Sequence, residues 1–138
     1  MPLNRGSKIM AINTKLLRGV VPPVCTPFNS DFSVDEKSLR RLVNHLIDGG
    51  VHGLFVLGST SEVAYLTDAN RADVIRITLD ETAGRVPVVA GAIDMTTLRV
   101  NEHVRAAVAA GVDGIVLTAP FYVRTHPAEI ENHFRLVK

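Results

Sequence analysis

Cysteine is almost absent from this chain, and tryptophan is absent altogether. With Cys25 as the single cysteine, no intrachain disulfide can form, so a disulfide-stapled scaffold is excluded and a reducing compartment is expected. A charge excess of either sign is also missing, because 15 Lys and Arg residues balance 14 Asp and Glu residues. Proteins that bind nucleic acid or anionic membranes through a basic surface carry a marked positive excess. The composition therefore predicts neither partner.

Long hydrophobic runs are missing too. No stretch approaches the roughly 18 consecutive apolar residues of a membrane-spanning helix. The first 17 residues mix basic side chains with short apolar pairs, and they lack the apolar core and cleavage site of a signal peptide. We therefore expect a cytoplasmic protein without membrane association, in which residues 1–17 form an N-terminal extension and residues 18–138 form the domain.

Short apolar runs alternate with helical patterns throughout this domain. Four runs of strand length are predicted at 20–27, 53–58, 86–93 and 114–120. Between and after them, apolar residues recur three and four positions apart, which is typical of one buried helical face. Strands without polar alternation are buried on both faces, and intervening helices allow parallel pairing. The pattern predicts repeated β-α units.

Helix starts and stops support the same division. Ser33 and Glu36 have the spacing of a capping box at the start of the first helix. The segments 48–58 and 109–119 share Gly-Val-x-Gly, with Gly50 and Gly111 at equivalent places. This repeat predicts that one glycine ends a helix and a second opens a strand in each copy.

Two architectures suit such a chain. A doubly wound open sheet is complete with four or five units. An eight-stranded (β/α)8 TIM barrel needs about 250 residues, so this chain would supply only about its first four βα units. The sequence ends inside an apolar helical pattern without a glycine or proline to stop it, which favours the barrel.

In both architectures, ligands bind where strands end. The loop GSTSEV, at 58–63, presents hydroxyl groups and backbone N–H groups that suit a carboxylate or a phosphate. Ser59 and Glu62 also have capping-box spacing, so starting a helix and binding an anion remain equal alternatives. Neither the dinucleotide fingerprint nor the Walker pattern occurs, so a nucleotide is not expected.

Other residues near strand ends have competing interpretations. Tyr122 can relay a proton or simply pack against its neighbours. Asp94 can contact a polar ligand or serve the helix start near Thr96. Cys25 has no partner in sequence that would activate it, so we place it in the core. The five histidines lack metal-ligand spacing, and no metal site is expected.

Four segments together resemble one known family. TPF at 26–28, GSTSE at 58–62, VPVVAG at 86–91 and APFY at 119–122 resemble, in order and spacing, motifs of the dihydrodipicolinate synthase / N-acetylneuraminate lyase superfamily. Its members are Schiff-base-forming TIM barrels that act on pyruvate and other 2-oxo acids without a separate cofactor. The resemblance implies that residues 18–138 are the amino-terminal half of such a barrel. It also implies a homo-oligomer, either a dimer or a tetramer.

The resemblance assigns roles to three residues. Ser59 and Thr60 fall on the adjacent hydroxyl positions that hold the 2-oxo acid carboxylate, and Ser59 also relays protons. Tyr122 falls on the tyrosine that reaches the neighbouring subunit's relay across a tight dimer. The implied activity is that of a lyase or aldolase acting on a pyruvate-like 2-oxo acid and an aldehyde. Ser59 and Tyr122 would be catalytic, and Ser59 and Thr60 would bind substrate.

The sequence also departs from the family pattern. Ser61 stands where the family usually has glycine, and Ile93 and Asp94 replace a second glycine and a small residue. The family's catalytic lysine and its strand-five tyrosine fall beyond Lys138. That lysine amine condenses with the 2-oxo group, so we expect the 138 residues alone to form no imine. The alternative is a non-enzymatic half-barrel or open-sheet domain that binds an anion or a partner protein.

Overall fold

A computed structural model describes residues 17–138, so the predicted extension at 1–17 lies outside the described residues except for Leu17. The elements are helices α1 (Glu36–Asp48), α2 (Asp68–Thr82), α3 (Thr97–Ala110) and α4 (Pro127–Leu136), strands β1 (Leu54–Val56), β2 (Val88–Gly91) and β3 (Gly114–Val116), and a 3₁₀ turn at Val63–Tyr65. None of the helices between residues 17 and 138 combines the length and apolar character needed to cross a bilayer.

The three strands form one parallel sheet in chain order. β1 pairs with β2, and β2 pairs with β3. A helix lies between each pair of strands, as parallel pairing requires. The predicted order of neighbours is therefore confirmed, and the described strands contain no reversal of the kind that marks a doubly wound sheet.

The first predicted strand is shorter than expected. Residues 20–27 lie alongside β1 through a single parallel bridge between Pro23 and Phe55. The Val24 N–H donates to Phe55 O at 2.8 Å, and the Phe55 N–H donates to Pro22 O at 3.0 Å. Pro22 and Pro23 have no backbone N–H to donate. The hydrogen-bond ladder between this segment and β1 therefore stays limited to a single bridge.

Cys25 is exposed, so its expected place in the core is wrong. Its neighbours Val24 and Thr26 are both buried, at 2% and 5% exposure. Extended backbone points successive side chains to opposite faces. Cys25 therefore lies on the face opposite the one that packs against the helices.

The core lies between the sheet and helices α1 and α2. Leu54 and Val56 of β1 are fully buried, as are Leu39 and Val43 of α1. Each such side chain contributes about 1.5–3 kcal/mol by leaving water. The alternate residue Phe55 is only half-buried, because it points to the other face of the sheet.

The start of α1 differs from the capping prediction. The N-cap is Asp35, whose carboxylate accepts the Ser38 N–H at 3.0 Å. Ser33 lies in the preceding turn, where its hydroxyl donates to Asp31 Oδ1 at 2.6 Å. Serine and aspartate both cap well, so spacing alone placed the helix start two residues too early.

Two predicted apolar faces are also only partly buried. Val108 of α3 is 60% exposed and Phe134 of α4 is 44% exposed. α4 instead buries His133, whose Nδ1 hydrogen-bonds Thr97 Oγ1 at 2.9 Å. A polar contact at the start of α3 therefore orients α4 in the described residues.

The internal repeat has the expected structural meaning. Gly50, just after α1, has φ +83°, and Gly111, at the end of α3, has φ +95°. Such left-handed backbone favours glycine. β1 and β3 begin after these turns, at Leu54 and Gly114. Equivalent turns thus set the entry of two strands into the sheet.

A close backbone approach occurs at the exit of β1. Leu57 has φ +59°, and a Cβ atom on Gly91 of β2 would lie 2.0 Å from the Leu57 carbonyl oxygen. Backbone on both sides leaves nothing flexible to move. We expect Gly91→Ala to lower the free energy of unfolding by about 3 kcal/mol, measured by urea denaturation.

Gly49→Ala is the matched control for this test. Gly49 has φ −70°, and an added Cβ would lie 3.2 Å from its nearest atom. We expect a change below about 1 kcal/mol. Equal losses in the two variants would contradict the proposed close approach.

Candidate functional site

The loop after β1 folds as a tight turn and does not start a helix. Ser61 N–H donates to Gly58 O at 3.1 Å, and Glu62 N–H donates to Ser59 O at 3.0 Å. The following 3₁₀ turn has Glu62 as its N-cap, without a side-chain capping bond. The long helix α2 begins later, capped by Thr67. The helix-capping interpretation of Ser59 is therefore wrong.

Ser61 holds this loop to the rest of the sheet edge. It is fully buried, its hydroxyl donates to Val24 O at 2.5 Å, and it accepts the Gly58 N–H at 3.2 Å. Thr26 Oγ1 donates to Ser61 O at 2.9 Å. The extended segment 20–27 and the loop after β1 are thereby joined.

The serine in place of the family's usual glycine is not strained. The left-handed residue of this loop is Glu62, with φ +57°, and Ser61 is not among the residues of positive φ. The hydroxyl of Ser61 gives the loop two hydrogen bonds that a glycine lacks. This departure changes how the turn is held and leaves its backbone unstrained.

Ser59 lines a cavity of about 350 Å³ at the carboxyl edge of the sheet, called here the Ser59 cavity. Ile93 from the loop after β2 and Thr118 from the segment after β3 also line it. Its other lining residues are Phe55, Glu62, Val63, Ala64, Tyr65, Val116 and Phe121. Three consecutive strand ends thus contribute to one concave space, as in ligand sites of parallel α/β folds.

The other two predicted site residues lie elsewhere. Thr60 is exposed and is not among the residues lining the Ser59 cavity. Tyr122 is 90% exposed, has φ +79°, and lines a separate cavity of about 380 Å³. Within one chain, Ser59 and Tyr122 therefore do not meet in one cavity. The exposure of Tyr122 also removes the interpretation that it packs against its own chain.

A charged cluster at the same edge was missed by sequence reasoning. Arg71 of α2 is only 8% exposed, and its guanidinium donates to Val63 O at 3.0 Å and to Ile93 O at 3.1 Å. Asp94 Oδ2 lies 3.9 Å from Arg71 Nη2. Burial lowers the pKa of Arg71, and the carboxylates of Asp94 and Asp68 oppose that effect. The guanidinium remains charged at neutral pH.

Asp94 is the most connected acid of this cluster. Its Oδ2 lies 2.9 Å from His103 Nε2 and 3.6 Å from Arg99 Nε, and its Oδ1 accepts the Met95 N–H at 2.7 Å. Burial raises the pKa of Asp94, but the bonds from His103 and Met95 outweigh it, so the pKa lies below its usual value. The helix-start role near Asp94 belongs to Thr96, which caps α3.

Only one residue of this cluster, Asp94, could be recognised as a candidate from the sequence. Asp94 directly follows the predicted strand at 86–93, where contact with a polar ligand is one of its two expected roles, whereas Arg71 lies inside a helix among other charged residues. A buried arginine has no distinct sequence pattern, because its burial depends on which loops fold over it. Among residues 17–138, no group of three or more His, Cys, Asp and Glu side chains is placed to hold a metal ion.

Comparison with known proteins places this geometry in a family. The model of the dihydrodipicolinate synthetase family matches residues 16–138. The 4-hydroxy-tetrahydrodipicolinate synthase of Salinibacter ruber is 38% identical over 122 residues, which are 88% of this chain and 40% of that protein. The chain therefore spans about two fifths of the length of this curated relative.

Solved structures agree with the sequence match. A prophage protein of the dihydrodipicolinic acid synthase family from E. coli K12, in complex with pyruvate, superposes with a TM-score of 0.83 at 35% identity. The superposed region covers 88% of this chain and 41% of the E. coli protein's chain. A monomeric dihydrodipicolinate synthase variant superposes with a TM-score of 0.83 at 28% identity, covering 89% and 41%.

These neighbours confirm the predicted fold class, because the parallel β-α units match the amino-terminal part of TIM barrels. The doubly wound alternative is wrong. The parallel sheet in chain order, the loops that meet at its carboxyl edge and the match over residues 16–138 lead to one conclusion. The chain belongs to the dihydrodipicolinate synthetase family.

Proposed function

We propose that the chain forms the amino-terminal part of a Schiff-base-forming lyase or aldolase that acts on pyruvate or another 2-oxo acid and an aldehyde. The observation that carries this proposal is the Ser59 cavity, to which three consecutive strand ends contribute. Family members include synthases named for dihydrodipicolinate chemistry, and one structural relative was solved with pyruvate. With a 2-oxo acid as substrate, its carboxylate would lie in the Ser59 cavity at the carboxyl edge of the sheet.

Ser59 and Thr60 are proposed to bind the carboxylate of the 2-oxo acid. Both are exposed at the turn after β1, and neither is used to start a helix. Small hydroxyl groups beside backbone N–H groups suit a carboxylate, because charged hydrogen bonds are the strong ones.

Tyr122 is proposed to relay protons to Ser59 of a neighbouring subunit, in a homodimer or tetramer. Two observations support a contact between subunits. Tyr122 and Ser59 line different cavities of one chain, and the segment around Tyr122 exposes large side chains, with Phe121 at 36% and Val123 at 62% exposure. One structural relative is a monomeric variant, so the assembly itself needs a test.

The covalent step is proposed to use a lysine outside these 138 residues. Its amine would attack the 2-oxo carbon, and loss of water would give an iminium that withdraws electrons from the bond being made or broken. The residues described here would position the substrate and move protons.

Single substitutions in the longer protein separate the proposed roles. We expect Thr60→Ala to raise KM for the 2-oxo acid about 10- to 100-fold, because one hydrogen bond to a charged group is worth about 1.5–3 kcal/mol. Ser59→Ala should mainly lower kcat, since a relay group acts in the transition state. Steady-state kinetics with pyruvate as the varied substrate measures both values. Unchanged turnover in Ser59→Ala would reject the relay.

Mixing two inactive variants tests the contact between subunits. In a random mixture of Ser59→Ala and Tyr122→Phe subunits, each mixed dimer contains one intact pair of Ser59 and Tyr122. Activity should therefore return to about one quarter of the unmodified level. Each variant alone, unfolded and refolded in the same way, is the control. No recovery despite mixed dimers would show that Tyr122 does not serve the neighbouring subunit.

Borohydride trapping tests where the nucleophile lies. With pyruvate present, we expect the longer protein to gain the mass of a reduced adduct and the 138-residue chain to gain none. Intact-mass spectrometry measures both. Stoichiometric trapping of a lysine within the chain, such as Lys37 or Lys138, would overturn the assignment. An untrapped longer protein would favour the non-enzymatic alternative.

A further inference from the structure

We propose that Arg71 is a positioning residue that clamps the loops after β1 and β2 together and thereby sets the width of the Ser59 cavity. The proposal rests on the proposed function only in taking that cavity as the 2-oxo acid site. Arg71 itself is not among the lining residues, so it acts through the two loops that it joins.

The geometry of the clamp is a two-point contact. Nη2 of Arg71 donates to Val63 O at 3.0 Å, and Nη1 donates to Ile93 O at 3.1 Å. Val63 follows the turn that carries Ser59, and Ile93 follows β2; both line the Ser59 cavity. A planar guanidinium fixes the separation of its two acceptors, which a lysine ammonium cannot do. The distance between the two cavity walls therefore depends on one side chain.

The clamp is held in place by the residue after Ile93. Asp94 lies 3.9 Å from Arg71 Nη2 and is itself bonded to His103 Nε2 at 2.9 Å and to the Met95 N–H at 2.7 Å. A buried guanidinium without a counter-charge would be costly. The carboxylate therefore stabilises Arg71 in place and ties the same loop to α3, which carries His103.

A comparison on the same helix shows what is particular to Arg71. Arg76 is half-exposed, and its Nη2 pairs with Asp73 at 3.2 Å and with Glu36 at 3.4 Å. Those partners are surface carboxylates of helices α2 and α1. Arg71 instead donates to main-chain carbonyls of two loops. Arg76→Gln is therefore the matched control, since it removes an arginine from α2 without touching either loop.

The test uses Arg71→Lys and Arg71→Gln in the longer protein, with two measurements. In Arg71→Gln, hydrogen–deuterium exchange should be faster in both 58–66 and 92–96, with β1 and β2 unchanged, because the two loops lose their common partner. In Arg71→Lys, it should be faster in at least one of these loops. KM for pyruvate should rise about tenfold while kcat falls less than about threefold, because substrate binding loses a fixed cavity wall. Arg76→Gln should leave both measurements unchanged.

Each outcome decides the proposal. Faster exchange in only one loop of Arg71→Gln, or in neither loop of either variant, would overturn it. A lower melting temperature with unchanged KM would also overturn it and leave Arg71 as a core residue. If Arg71→Gln does not fold, Arg71→Lys decides through its KM for pyruvate and through exchange in the loop that loses its bond, because it keeps the buried charge but can reach only one of the two carbonyls. If the unmodified protein shows no turnover of any 2-oxo acid, the proposed function fails, while the exchange measurement still tests the clamp.

Discussion

Buried main-chain groups at the carboxyl edge of the sheet must find hydrogen-bond partners, and two side chains supply several of them. Ser61 bonds Val24 O and the Gly58 N–H, and Arg71 bonds Val63 O and Ile93 O. An unpaired buried polar group would cost about 1–3 kcal/mol. Together, these two side chains join the extended segment 20–27 and the loops after β1 and β2 into one structure. The shape of the Ser59 cavity depends on this connection.

This arrangement leaves the residues proposed to bind substrate free to do so. The turn after β1 is held by buried Ser61, whereas Ser59 and Thr60 stand exposed beside it. Because neither hydroxyl is used to cap a helix, both remain available to donate to a carboxylate. Support of the turn and the proposed binding therefore belong to adjacent residues of one short motif, and the Ser61 hydroxyl adds two hydrogen bonds to the support.

The sequence was sufficient for the order of the strands and the place of the loops, because apolar runs and helical periods depend on local pattern. It was less successful where a choice depends on tertiary contacts. Ser33 and Asp35 are both good caps, and only the turn at Asp31 decides between them. The burial of Arg71 and the exposure of Phe134 depend on neighbouring loops and helices, which the local pattern does not contain. The loop at 58–63 was therefore predicted as part of the site, whereas the bonds from Arg71 to the two loops were not.

Backbone strain gives a further reason to place function at this edge. Among residues 17–138, the non-glycine residues with positive φ are Phe32, Leu57, Glu62, Ala83 and Tyr122. Ala83 ends a helix, where such backbone is ordinary. The others lie in loops that follow strands or the extended segment 20–27. Strained backbone persists only where its surroundings hold it, and it concentrates at functional sites.

Two of these residues differ in how their backbone is supported. Glu62 lies next to the Ser61 and Arg71 contacts, whereas Tyr122 is 90% exposed and lacks such support from its own chain. A contact from a second subunit would supply what Tyr122 lacks, which is why the mixed-subunit experiment bears on its backbone as well as on its proposed proton relay.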